Sequence, residues 1–219
     1  MKYVNLILVT AVLLSSCATM KAPQEAKAPE KGELSKRQRL LIEGADSVLG
    51  KDRLLVRGKE FRIDCTGVIM AIYYYAGIDF TPAMTGYTGN GVTRMYKYLR
   101  EEELLYTTEY PVPGDIIFWD NTWDANEDGQ YNDYLTHIGM VYDVDDSGLI
   151  TYVHHNYRKG IIIEYMNLTD PDTYQLNKGD RVIIINSPMR MKGAPKAPEG
   201  QWLSSHLARV FGKGYLLAR

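Results

Sequence analysis

Apolar positions recur first at helical and then at strand spacing along the chain. Ser35 and Gln38 form a capping-box pattern, and Leu41, Ala45 and Val48 then fall on one face until Gly50, which predicts a first helix. Residues 51–63 predict irregular chain or a short strand. Asp64 is a good N-cap, and Cys65 is then the first helical residue. The run that follows, 68–73, is apolar on every side and stops near Gly77, so this central helix is expected to be buried. Residues 79–90 hold Pro82, Gly86 and Gly89 and predict a loop, after which Val92, Met95, Tyr96 and Leu99 repeat at helical spacing. Beyond the turn Pro113-Gly114 the period changes. Residues 115–119, 137–142, 149–154, 161–165 and 181–185 predict about five strands. Helices first and an antiparallel meander second predict an α+β domain, with N-terminal helices packed on a roughly five-stranded antiparallel sheet. In residues 187–219 a Pro/Gly/Lys-rich loop precedes Leu203, Leu207 and Val210, whose spacing predicts a short amphipathic helix on the outside of the domain.

The N-terminus adds processing segments. Lys2 supplies a positive region, residues 4–14 an apolar stretch too short to span a membrane, and Leu14-Ser15-Ser16-Cys17 a small-residue cleavage site. The string Leu-Ser-Ser-Cys resembles the bacterial lipoprotein box, which implies a signal peptide over 1–16, acylation of Cys17, and a cell-envelope protein held to a membrane by lipid. Ala18 lacks the aspartate that can retain such proteins at an inner membrane, which points to an outer membrane where the organism has one. Residues 17–34 alternate Ala, Pro, Lys and Glu without an apolar period and read as a flexible tether. The remaining length suits one domain and a monomer is expected. A formal charge of −2 and no long basic run exclude a nucleic-acid partner. Seventeen Tyr against four Phe and three Trp suit half-wet strands and a cleft for polar ligands.

Cysteine usage sharpens the chemistry. With Cys17 consumed by lipid, Cys65 is the one thiol left of two, and exported chains ordinarily use cysteines in pairs, so a solitary one reads as a reactive group. At a helix N-terminus, unpaired N–H groups and the positive end of the dipole favour the thiolate, the nucleophilic form. A thiol nucleophile needs a base, and that base needs a third group to orient it. The chain has four His: His137, the adjacent His154 and His155, and His206. Strand alternation puts His154 and His155 on opposite faces, so only one can point at His137.

Four motifs in order carry a resemblance: Asp-Cys-Thr-Gly opening a helix, then Pro-Gly-Asp-Ile-Ile-Phe-Trp, His-Ile-Gly-Met-Val-Tyr and Tyr-Val-His. Together they resemble the NlpC-type papain-like peptidases of bacterial cell walls. The resemblance implies a papain-like catalytic domain over 35–186, with Cys65 as nucleophile, His137 as general base and His154 orienting the imidazole. It further implies hydrolysis of peptidoglycan stem peptides, commonly between D-glutamate and diaminopimelate, without a required cofactor. Stem-peptide carboxylates are natural partners for Arg53, Arg57 or Arg62, and Arg62 and Thr66 are the candidate substrate-binding residues beside the thiol. The chain departs from the family in lacking its Pro-Tyr and Gly-Gly before the Cys, and in carrying Thr66 where Ser is usual. An amidase or acyltransferase on the same scaffold, and a catalytically silent wall-binding lipoprotein, are the alternatives.

The insertion 120–135 separates the first two strands. Asp124, Asn126, Asp128 and Gln130, with Gly129 at the sharp turn, match the start of a calcium loop. Asn132 or Asp133 supplies a further oxygen, whereas Leu135 at the twelfth position cannot provide the bidentate carboxylate of an EF-hand. A structural Ca²⁺ and a solvated acidic turn both fit this pattern.

Overall fold

The computed structural model describes residues 32–190 and 201–217. The expected signal peptide, the expected acylation of Cys17 and most of the expected tether fall outside the described residues. Helix α1 (Lys36–Val48) starts at the reciprocal cap expected of Ser35 and Gln38 and buries Leu41, Ala45 and Val48. Residues 51–63 form a hairpin of β1 (Leu54–Val56) and β2 (Lys59–Phe61). Helix α2 (Cys65–Tyr75) follows directly, capped by Asp64 as expected. The stretch expected to be loop contains a short helix, α3 (Phe80–Met84). Pro82 is tolerated because it lies in the first turn, where its missing N–H has no helical partner to lose. Helix α4 (Gly91–Glu101) buries Val92, Met95 and Leu99 on one face.

The strands are β3 (Leu105–Tyr106), β4 (Ile116–Trp119), β5 (His137–Val144), β6 (Leu149–Asn156), β7 (Gly160–Asn167), β8 (Gln175–Lys178) and β9 (Arg181–Ile184). After them come one helical turn, α5 (Ser204–Leu207), and a last strand, β10 (Ala208–Gly212). The main sheet has six strands in the order β3-β10-β4-β5-β6-β7, every neighbouring pair antiparallel. The fold is therefore α+β with helices on an antiparallel sheet, and two expectations about the sheet are corrected. The fifth expected strand, 181–185, does not join it; β9 pairs with β8 in a separate, largely exposed hairpin, because its Val and Ile positions follow a local turn rather than a core face.

The second correction concerns the C-terminus. Leu203, Leu207 and Val210 do not form an outer amphipathic helix. The chain makes one turn and then extends, so that β10 lies between β3 and β4, with Val210 opposite Phe118 and Phe211 opposite Ile117. All four residues of β4 are buried, and an open edge there would leave its backbone groups unpaired. A domain ending at 186 would lack this interior strand, so the folded unit runs through β10.

Helix α2 lies against β5 and β6. Val68, Ile69 and Ile72 are fully buried, worth roughly 5–9 kcal/mol together by apolar burial, far more than propensity contributes to an eleven-residue helix. Its far end is clamped by hydrogen bonds: the Tyr73 hydroxyl donates to Gly114 O at 2.6 Å, Gly114 N donates to Val141 O at 2.8 Å, and Val141 N donates to Asp115 O at 2.8 Å. The Pro-Gly-Asp turn thus ties α2 to β5. Asp115 is itself buried, accepting from Val112 N at 2.8 Å and from the Tyr106 hydroxyl, and burial pushes its carboxyl up to about 6. Because the folded value exceeds that of the unfolded chain, the stability it contributes is present under acid conditions and lost as pH rises through about 6.

The near end of α2 depends on a close approach. A Cβ at Gly67 would lie 2.0 Å from the carbonyl oxygen of Arg62. Gly67→Ala should therefore destabilise the fold by about 3 kcal/mol or more, at the upper end for overpacking because the obstacle is backbone. Urea-unfolding midpoints of the two proteins check it.

Candidate active site

The position of Cys65 follows from its cap. Asp64 Oδ1 accepts from Gly67 N at 2.7 Å, and Val68 N donates to Asp64 O at 3.0 Å, which starts the helix with Cys65 in its first turn. The thiol is free and partly buried, and it borders a cleft of about 1040 Å³. His137, the first residue of β5, and His154 on β6 border the same cleft. The packing of α2 on the sheet places these three along one cleft from positions far apart in the chain. Thr66 is buried beside them, its hydroxyl 4.0 Å from the sulfur.

His137 is held by the network beneath it. Strand register pairs Gly139 with His154, so His137 and His154 are diagonal neighbours on one face rather than directly opposite. Their rings meet edge to face, with His137 Nε2 2.8 Å from His154 Nδ1. His154 Nε2 in turn lies 3.1 Å from Glu164 Oε2 on β7. The carboxylate determines the tautomers: His154 donates from Nε2 to Glu164, so its Nδ1 accepts, and His137 donates from Nε2 and keeps Nδ1 unprotonated. Lys159 Nζ reaches Glu164 Oε1 at 3.1 Å. Burial opposes ionisation of Glu164, but the hydrogen bonds from His154 and Lys159, with the Lys159 charge, outweigh it and hold the carboxyl below its ordinary value. Trp119 packs beside the His137 ring at 5.7 Å between centroids, and its indole N–H donates to Ser204 O at 2.9 Å. The C-terminal turn therefore braces the imidazole from below.

The electrostatics differ from the expectation of a resting thiolate. Burial pushes the Cys65 thiol up, the Asp64 carboxylate adds to this, and hydrogen bonding from the Thr66 hydroxyl and first-turn amides only partly offsets them. Burial also pushes His137 well below its ordinary range, with His154 and His155 contributing. Near pH 7 the pair is thus neutral thiol and neutral imidazole. Such an imidazole is an unprotonated base, and the thiolate would form only as the proton moves.

Other sequence-level candidates separate cleanly. His155 is half-buried at the edge of the cleft, so it is not turned wholly away from it, and His206 instead meets Asp172 at 2.9 Å. Arg62 borders the cleft and pairs with Asp64 at 3.2 Å. Arg53 pairs with Glu60 at 2.9 Å and Arg57 lies over the Tyr75 ring, and neither borders the cleft. Three cleft arginines, Arg94, Arg158 and Arg190, escape sequence reasoning, as does Glu164. The available signal for Glu164 is its place as the lone carboxylate in the apolar strand Ile161-Ile162-Ile163-Glu164-Tyr165.

The insertion between β4 and β5 forms a tight acidic loop. Gly129 N donates to Asp124 Oδ2 at 2.9 Å, Gln130 N to Asp128 Oδ1 at 2.8 Å, and Asn132 Nδ2 to Asp128 Oδ2 at 2.9 Å. Asp124 Oδ1 is buried without a hydrogen-bond partner. Among the described residues no group of three or more His, Cys, Asp or Glu converges as a metal site. Asp124 and Asp128 instead offer carboxylates beside the Asn126 amide and backbone carbonyls, an all-oxygen set that suits a hard cation.

Asp64→Asn separates the cap from the charge, since Asn caps equally well but no longer repels a thiolate. Alkylation of Cys65 by iodoacetamide should then shift its midpoint to lower pH by roughly half a unit to one unit, the size of one partly screened neighbouring charge. Mass spectrometry of the Cys65 peptide across pH checks it. Comparison of the chain with protein-family models, with curated proteins and with solved structures returns no match, so the site stands on its own geometry.

Proposed function

We propose that the protein is a papain-like cysteine peptidase of NlpC type, held to a bacterial membrane by lipid on Cys17, that hydrolyses amide bonds in peptidoglycan stem peptides. The observation that supports this reading is that the Cys65 thiol and His137, with His154 and Glu164 hydrogen-bonded behind it, line one cleft. In the proposed reaction His137 Nδ1 takes the thiol proton as sulfur attacks the substrate carbonyl. The C–S bond forms, the carbonyl oxygen becomes an oxyanion, and the first-turn amides of α2 stabilise it. His137 returns the proton to the departing amine as the C–N bond breaks. The same imidazole then takes a proton from water, which attacks the thioester and releases the acid and the thiol. Glu164 acts through His154 as a positioning residue, keeping the His137 tautomer correct and balancing the imidazolium when it forms.

The acidic loop is proposed as a calcium site, with Asp124, Asn126, Asp128 and the Gln130 carbonyl as ligands and the orphaned Asp124 oxygen as the supporting observation. Bound Ca²⁺ would order the segment that leads into His137.

Two experiments test these assignments. Wild-type protein should release muropeptides cut within the stem peptide from purified peptidoglycan, and Cys65→Ala should lose at least about a thousandfold in rate. Mass spectrometry of the products decides: cleavage between sugar and peptide makes it an amidase, and no cleavage ends the peptidase reading. Saturating Ca²⁺ should raise the Tm by about 2–4 °C for each kcal/mol of binding linkage, and Asp124→Ala should abolish the shift. An unchanged Tm by calorimetry would leave a solvated acidic turn.

A further inference from the structure

The charge of the cleft is lopsided. Four guanidinium groups, Arg62, Arg94, Arg158 and Arg190, border it against a single carboxylate, Asp64. Asp64 is already engaged, with Oδ1 on Gly67 N and Oδ2 on Arg62. Arg190 donates to Asn121 O at 3.1 Å and lies over the Tyr131 ring. Arg94 differs from both: it has no ion pair among the described residues, and its Nε is buried without a hydrogen-bond partner. A buried donor left without an acceptor is costly, and ordinarily one is found for it.

Placement makes Arg94 more unusual. It is the fourth residue of α4, near the positive end of that helix, where a cation is disfavoured. The start of α4 lies close to that of α2: a Cβ at Gly91 would lie 2.5 Å from Thr66 Oγ1. Gly91 lets the starts of α4 and α2 come together, and both helix N-termini, with Arg94 and Cys65, border the one cleft. An anion entering the cleft would meet a guanidinium that has no ion pair among the described residues, together with the favourable ends of two helices. A guanidinium fork matches a carboxylate in two parallel bonds, which an ammonium cannot reproduce.

We propose that Arg94 is the anchor of a carboxylate subsite in this cleft, and that it selects peptide substrates carrying a free carboxylate near the scissile amide. The identity of the ligand rests on the peptidase reading; the preference of the cleft for an anion does not.

Two measurements on the full chain separate these. The first compares iodoacetate with iodoacetamide, reagents of one mechanism and nearly one size that differ in charge, by following the Cys65 peptide in mass spectrometry. Arg94→Gln should lower the iodoacetate-to-iodoacetamide rate ratio about fivefold to tenfold, Arg94→Lys should largely keep it, and Arg53→Gln, which lies outside the cleft, should leave it unchanged. The second compares stem peptides whose carboxylate is free with their carboxamide forms. Wild type should prefer the free acid by at least about tenfold in kcat/KM, expressed in KM, and both Arg94 variants should lose that preference because neither retains the fork. An unchanged alkylation ratio in folded Arg94→Gln overturns the anion subsite. A changed ratio without discrimination between cleaved peptides overturns the substrate assignment alone. If no peptide is cleaved, the peptidase reading fails while the alkylation arm still decides the subsite. Should Arg94→Gln not fold, Arg94→Met provides the same neutral comparison with an apolar stem.

Discussion

Burial of α2 against the sheet is the constraint on which the rest depends. Its apolar side chains allow little freedom in rotation or translation, because interiors are close-packed and a helix buried on nearly every side has no solvent face to turn toward. The Tyr73 hydroxyl bond to Gly114, and the bonds from that turn to Val141, hold the C-terminal end of the helix to β5. The opposite end of the helix carries Cys65 and the start of the same strand carries His137. One rigid contact between helix and strand thus presents a thiol and an imidazole from distant parts of the chain at one cleft. Gly67 is the local condition for this, since only a hydrogen side chain lets the backbone of Arg62 pass so close to the first turn.

Electrostatics at the cleft follow from the same burial. Desolvation raises the thiol and lowers the imidazole, so the structure holds the pair in its neutral state. Charge separation in the proposed reaction would draw on groups already in place: the first-turn amides for negative charge, and Glu164 behind His154 for positive charge. Removing Glu164 would leave the His154 N–H without an acceptor in a buried setting, a cost of about 1–3 kcal/mol, besides freeing the tautomer. The second ring is useful for its two nitrogens, which accept at one edge and donate at the other.

The periphery completes the site. Strand β10 covers the edge of β4 that would otherwise be open, and the turn before it anchors Trp119 beside His137. The acidic loop leads into the same histidine from the other side. Helix α4 contributes no candidate nucleophile or base but holds Arg94 against the cleft. Segments that look like appendages in the linear chain therefore set the shape and charge around the thiol.

Local rules determined much of this protein before folding was considered. The caps at Ser35 and Asp64, the apolar run of α2, the face of α4 and the four meander strands β4 to β7 are short-range patterns, and each element formed where its pattern lies. Cys65, His137 and His154 stand out in the sequence because their residue types are chemically distinctive, and the structure places all three along one cleft. Pairing was not legible. Val and Ile in 181–185 satisfy a strand pattern whether the partner is the main sheet or a hairpin neighbour, and Leu203, Leu207 and Val210 satisfy a helical spacing that an unpaired strand edge overrode. Glu164 and Arg94 belong to the same class. As residues they are a charge in a strand and a charge on a helix, and only the tertiary structure, by removing water and withholding or supplying a partner, made one an anchor for histidine and left the other's Nε without an acceptor.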